Sequence, residues 1–161
     1  MQILNALLVC LLVAADQFTK YLAQIHLKEH SQVLIPGALE LCYLENHGAA
    51  FGILKDREWF FIIATVLFLI ALVFVYLRLP EGASFRLHRF SMLLLAAGAA
   101  GNLIDRVRTG SVRDFIYFSL IDFPVFNVAD ICVTVGAGLL IGCILFFTKE
   151  EDLTLKGKKN E

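Results

Sequence analysis

From Trp59 to Leu79 the chain carries no charged residue before Arg78. That is the length of helix needed to cross the hydrocarbon of a bilayer, about 20 residues. A run of this kind must be covered by other protein or placed in lipid. Covering it is not open to a chain of 161 residues that is 58% hydrophobic and 18% charged, since soluble domains are nearer half apolar and a quarter charged. Lipid is therefore the expected solvent, and Trp59 and Tyr76 near the ends of the run suit the aromatic belt at its interfaces. A net charge of −1 suggests neither nucleic acid nor a polybasic membrane surface as a partner.

Three further runs complete the pattern. Ile3 to Ala15 is short for a span, but continuing through Phe18, Tyr21, Leu22 and Ile25 gives adequate length. Val13-Ala14-Ala15 resembles a signal-peptide cleavage site, yet no Lys or Arg precedes the run, so the basic segment of such a peptide is missing. The third run contains the small residues Ala96 to Gly101, which let backbones approach closely. The fourth carries Gly138 and Gly142 at GxxxG spacing, read as a packing contact within the bundle. The expected fold is an all-α polytopic membrane protein, one domain over 1–161, with transmembrane helices at about 3–25, 59–79, 87–104 and 127–147. Between the first two spans, alternating short apolar stretches around Pro36-Gly37 predict a small β-like cradle. Residues 49–56, with Phe51, Ile53 and Leu54, predict a short interfacial helix. After the three arginines of the polar stretch are set aside, Lys and Arg number seven on one side and four on the other. The positive-inside rule then places 80–86 and 149–161 in the cytoplasm and 28–58 and 105–126 outside it.

The four cysteines show no C-x-x-C spacing and no Cys/His cluster, so no metal site or disulfide framework is indicated, and no cofactor is implied. His47 reads as a solvated loop residue.

Asn102 to Asp130 is different in kind. It holds four aspartates (Asp105, Asp114, Asp122, Asp130), three arginines and two asparagines between two apolar runs. Polarity there is costly unless paired or lining a wet cavity, which marks it as the default functional site. Asn102 and Asp105 share a face if the third helix continues. Asn127 can cap the fourth helix, and Asp130 falls in its first turn. Asp114 lies in a segment of high strand propensity, VRDFIYF. Asp105 with Arg106 and Asp114 with Arg113 could form interfacial ion pairs. Asp16 and Lys20, four apart, have the spacing of a helical ion pair worth about 0.2–0.5 kcal/mol in an isolated helix, although a carboxylate within a span is equally a mark of function. Two carboxylates brought together share a proton, so one can accept a proton from water while the other protonates a carbonyl oxygen. Spacing alone leaves open which two aspartates meet. A small proton-coupled carrier using the same acids is the alternative, though it would require a polar track through the membrane.

These residues resemble the ordered signatures of bacterial lipoprotein signal peptidases, the signal peptidase II family: GNLIDR at Gly101–Arg106, VRDF at Val112–Phe115 and FNVAD at Phe126–Asp130. Asp16-Gln17 with Lys20, and ENHGAAFG at Glu45–Gly52, match its other blocks. The resemblance implies an aspartic endopeptidase of the bacterial cytoplasmic (inner) membrane, its catalytic end facing outward. It implies Asp114 and Asp130 as the catalytic pair, Asn46, Asn102, Arg106 and Asn127 as substrate-binding residues, and Asp16, Lys20, Gly48 and Asp105 in support. The implied substrates are prolipoproteins carrying a diacylglyceryl group, cut before the lipidated cysteine. Other expected partners are membrane lipid and the cyclic peptide antibiotic globomycin, and the expected state is a monomer.

Overall fold

The computed structural model describes residues 2–48, 58–80 and 82–146. Four helices, α1 (Gln2–His26), α2 (Glu58–Arg78), α3 (Arg86–Thr109) and α4 (Val128–Phe146), alternate with three strands, β1 (Gln32–Ile35), β2 (Leu39–Asn46) and β3 (Val112–Tyr117). All four helices are long and apolar enough to cross a membrane. The predicted interfacial helix at 49–56 and the tail from 149 lie outside the described residues.

The distribution of polarity is the reverse of a soluble protein's. Leu11, Trp59, Leu67 and Ile141 are exposed, while Asp16, Lys20, Asp105 and Asn127 are buried. In lipid, apolar side chains gain nothing by leaving the surface, so the interior can be built from small and polar residues that pack and hydrogen-bond. The α3 helix supplies most of that interior and packs against α1, α2 and α4. Its Ala96–Gly101 stretch does what the composition predicts. A methyl group on Gly98 would overlap the Ala129 carbonyl oxygen of α4 and come within 2.7 Å of Val133 Cγ2. On α4 the close approach falls at Gly136, where a Cβ would lie 2.9 Å from Ser91 O. Gly138 and Gly142, expected to make the packing contact, face open space: among the described residues no atom lies within 4 Å of a Cβ at either. The pair satisfies the GxxxG spacing on the wrong side of the helix. Away from the sheet, Leu72, Met92 and Leu95 form an apolar cluster with Val133, Ala137 and Leu140, joining α2, α3 and α4.

The strands form one antiparallel sheet in the order β1-β2-β3. Pro36-Gly37 makes the β1–β2 turn, with Gly37 at φ +71° and Ala38 N–H donating to Ile35 O at 3.0 Å. Proline followed by a residue with positive φ is the order such a turn needs. Although α2 and α3 separate β2 from β3 in sequence, Leu44 pairs with Asp114 and Asn46 with Val112. Phe115 anchors β3 to α1 by packing with Ala23 and Leu27. The sheet thus draws the two polar segments together over one end of the bundle. The α3 helix continues past 104 to Thr109, so Asp105 and Arg106 are helical, and it stops at Gly110, whose φ of +74° is the left-handed cap common at helix ends.

Candidate active site

The start of α4 fixes the first carboxylate. A helix leaves its first N–H groups without internal partners. Asn127 occupies the cap: its Oδ1 accepts from Asp130 N–H at 3.0 Å, and Asp130 Oδ2 accepts from Asn127 N–H at 3.0 Å. This is a capping box with aspartate as its acid. The Ala129 N–H, lying between them, donates to Asp16 Oδ1 of α1 at 2.9 Å. The other oxygen of Asp130, Oδ1, accepts from Asn102 Nδ2 of α3 at 2.7 Å.

The sheet delivers the second carboxylate. Asp114 faces the same side of the sheet as Leu44 and, two residues on, Asn46. Asn46 Nδ2 donates to Asp114 Oδ2 at 2.9 Å, and Gly48 N–H holds the Asn46 amide by donating to its Oδ1 at 3.0 Å. Asn127 Nδ2 donates to Asp114 Oδ1 at 2.6 Å and also to Asn102 Oδ1 at 3.2 Å. Two asparagines therefore link both carboxylates. Burial pushes the Asp114 carboxyl up to about 6, and the Asp130 charge adds to that push, against the opposing hydrogen bonds from Asn46 and Asn127 and the charge of Lys20.

Behind the asparagines lies a buried ionic cluster. Lys20 Nζ is 2.9 Å from Asp16 Oδ2, 3.4 Å from Asp105 Oδ2 and 2.8 Å from Asn102 Oδ1. Arg113 NH2 donates to Asp105 Oδ1 at 2.6 Å and to Gln17 Oε1 at 3.1 Å. Asp16 and Lys20 do form the i,i+4 pair, but it is wholly buried and engages two other elements, α3 and α4.

The pairings read from adjacent charges are corrected here. Asp105 pairs with Lys20 and Arg113, and Asp114 is held by asparagines instead of Arg113. Successive strand residues point to opposite faces, so Arg113 cannot turn toward the Asp114 carboxylate. That rule was available from the sequence; the Gln17 contact was not.

Asn46, Asn102, Arg106, Asp114 and Asp130 line one cavity of about 1050 Å³. Its wall continues along α4 through Ile131, Thr134 and Val135, three residues that sequence reasoning did not single out. Arg106, one turn above Asn102, lies over the Phe61 ring of α2 at 5.1 Å. Asp122 also lines the cavity and accepts a hydrogen bond from Tyr117 OH at 2.6 Å. Asp16, Lys20 and Asp105 are not among the residues that line it, and Gly48 is.

A four-helix integral membrane protein with two hydrogen-bonded aspartates on one cavity belongs, by fold and site, among membrane-embedded enzymes. Residues 8–146 match the family model for signal peptidase (SPase) II. The lipoprotein signal peptidase of Symbiobacterium thermophilum is 46% identical over 140 residues, covering 85% of this chain and 91% of that protein. That of Brevibacillus brevis is 41% identical over 157 residues, covering 96% and 97%. A bacterial membrane enzyme solved by the in meso method superposes with a TM-score of 0.79 at 36% identity, covering 98% of this chain and 94% of that one. A second gives 0.77 at 39% identity, covering 89% and 94%. The chain belongs to the signal peptidase II family and is a membrane protease of that family.

Proposed function

We propose that the protein removes signal peptides from diacylglyceryl-modified prolipoproteins by aspartic catalysis, cutting before the lipidated cysteine, with Asp114 and Asp130 as the catalytic dyad. The observation that carries this reading is the asparagine bridge: one residue, Asn127, donates to Asp114 and caps the helix turn that holds Asp130. Two carboxylates so held, facing one cavity, suit a single proton between them.

In the reactive form Asp114, whose carboxyl burial pushes up, carries that proton. A water between the carboxylates attacks the scissile carbonyl carbon. Asp130 takes the water's proton as Asp114 gives its own to the carbonyl oxygen, forming a tetrahedral diol. Asp130 then protonates the departing nitrogen, the C–N bond breaks, and one hydroxyl proton returns to Asp114. The products are the signal peptide's new carboxylic acid, which passes its proton to the amine or to solvent, and the free amine of the lipidated cysteine. Both side chains end as they began.

Asn46, Asn102, Arg106 and Asn127 orient the substrate backbone and the dyad. The apolar wall at Ile131 and Val135 suits a substrate that stays in the bilayer. A scissile bond near the interface also meets water, which the bilayer centre would deny it. On this reading the enzyme works as a monomer in the bacterial inner membrane with the dyad facing outward, and globomycin competes for the cavity.

The test is to incubate the purified protein in lipid with one preprolipoprotein, with and without its diacylglyceryl group, and to sequence the products. Cleavage before the cysteine of the lipidated form alone is expected. Equal cleavage of the unmodified form, or cleavage elsewhere, would overturn the substrate assignment.

A further inference from the structure

Lys20 is fully buried, at 0% exposure, and touches neither dyad carboxylate. An ammonium has three donors and no acceptor, and three oxygens face this one: Asp16 Oδ2, Asp105 Oδ2 and Asn102 Oδ1. Each of the three acts on the dyad. Asp16 accepts the N–H of Ala129, the residue before Asp130, at 2.9 Å. Asp105 accepts the N–H of Arg113, the residue before Asp114, at 3.0 Å. Asn102 donates to Asp130 itself. A second, non-reacting pair of aspartates therefore grips the backbone one residue ahead of each reacting one, and Lys20 sits between them.

The amide of Asn102 has two possible orientations, and the donor-only ammonium allows just one. Its Oδ1 must face Lys20, which leaves Nδ2 to face Asp130. The same Oδ1 receives Asn127 Nδ2, whose other proton goes to Asp114. One ammonium thus aims both amide donors at the two carboxylates.

We propose that Lys20 is the positioning residue of the dyad, setting the direction of the Asn102–Asn127 amide pair and clamping Asp16 and Asp105 against the strand and helix that carry Asp114 and Asp130. The proposal rests on the aspartic reading above. Its consequence is a change in pH dependence, because removing Lys20 frees Asn102 to turn an oxygen toward Asp130 and withdraws a nearby positive charge. The charged and titratable groups about the dyad among the described residues are Asp16 and Lys20 from α1, Glu45 from β2 with His47 just after it, Asp105 and Arg106 from α3, Arg113 from β3, and Asp122 from the segment that follows β3. The Lys20 charge pulls the Asp114 carboxyl down, so without it Asp114 keeps its proton to higher pH.

The experiment compares Lys20→Met and Lys20→Met/Asp16→Asn with wild type in lipid, measuring kcat, KM, the pH profile and thermal unfolding. Lys20→Met strands two buried acids. The double variant restores the charge balance, and its asparagine can still accept from Ala129 N–H, so it secures a folded protein. Expected for the folded variants is a kcat at least about tenfold lower with KM within about twofold; Lys20→Met also displaces the profile upward by about one pH unit, and the double variant, with its charge balance restored, by less. A folded double variant with the wild-type kcat, or a kcat that falls only with the folded fraction, would overturn the role of Lys20. Asp114→Asn is run alongside: cleavage by that variant would remove the dyad reading itself, whereas an inactive Asp114→Asn beside an undisplaced Lys20 profile would remove this inference alone.

Discussion

Replacing Asn127 separates its two roles. Its Oδ1 caps α4 and its Nδ2 serves Asp114 at 2.6 Å. Serine is also a good cap but is too short to reach Asp114, so Asn127→Ser removes the second contact and keeps the first. A hydrogen bond to a charged group contributes about 1.5–3 kcal/mol, which at about 1.4 kcal/mol per decade is a loss of about 10- to 150-fold in kcat/KM. Asn127→Ala loses the cap too and should be less stable than the serine variant by about 1 kcal/mol. The pH effect has a definite sign. The Asn127 donor pulls the Asp114 carboxyl down, so without it Asp114 keeps its proton to higher pH. The alkaline limb of kcat/KM, which reports loss of the proton the pair shares, should move up. The assay is cleavage of a lipidated substrate across pH, with thermal unfolding measured on the same preparations. A serine variant cleaving at the wild-type rate, or serine and alanine variants whose activities fall only in step with their stabilities, would refute the argument.

Three other expectations are simpler to test. Gly101→Ala would place a Cβ 2.6 Å from Asp16 Oδ2 and should destabilise by about 1–3 kcal/mol in thermal unfolding, whereas Gly138→Ala, which meets nothing within 4 Å, should change stability by less than about 0.5 kcal/mol. Arg106→Lys keeps the charge but loses the planar stack on Phe61, and should lower kcat/KM by about tenfold; full activity would remove Arg106 from the substrate site. A reporter active only outside the cytoplasm should work when fused near Ser31 or Phe118 and fail at Ala83 or after Glu161, and the reverse pattern would invert the orientation proposed.

The helices were legible because each is a long apolar run, and the wet end because Asn102, Asn127 and Asp130 intrude on two of those runs and three more aspartates lie between them. Asn127 could be recognised as a cap from its place ahead of an apolar helix. What could not be read is what depends on closure between distant segments. Ala129 N–H meets Asp16 across 113 positions and Gln17 meets Asp105 across 88, and no local periodicity encodes either contact. The choice of Asp114 as partner to Asp130 depends on β3 pairing with β2, a strand on the far side of two helices. The Gly138/Gly142 expectation failed for a related reason: spacing identifies a helix face, but the face that meets α3 is chosen by Ser91, Leu94 and Leu95 around Gly136.

The central claim is that Asp114 and Asp130 act as one unit sharing a proton. Its most direct test is the cleavage rate of Asp114→Asn, Asp130→Asn and the double variant, each shown to be inserted and folded, with Asp122→Asn as control. Asparagine tolerates the left-handed backbone at Asp122, where φ is +49°, and its amide oxygen can still accept from Tyr117 OH, so that control should retain cleavage although residue 122 lines the cavity. Each dyad variant should be inactive, the double no worse than either single, and the wild-type kcat/KM should follow a bell whose two limbs belong to the pair and not to either residue. Sustained cleavage by folded Asp114→Asn, or a double variant far slower than both singles, would contradict the account.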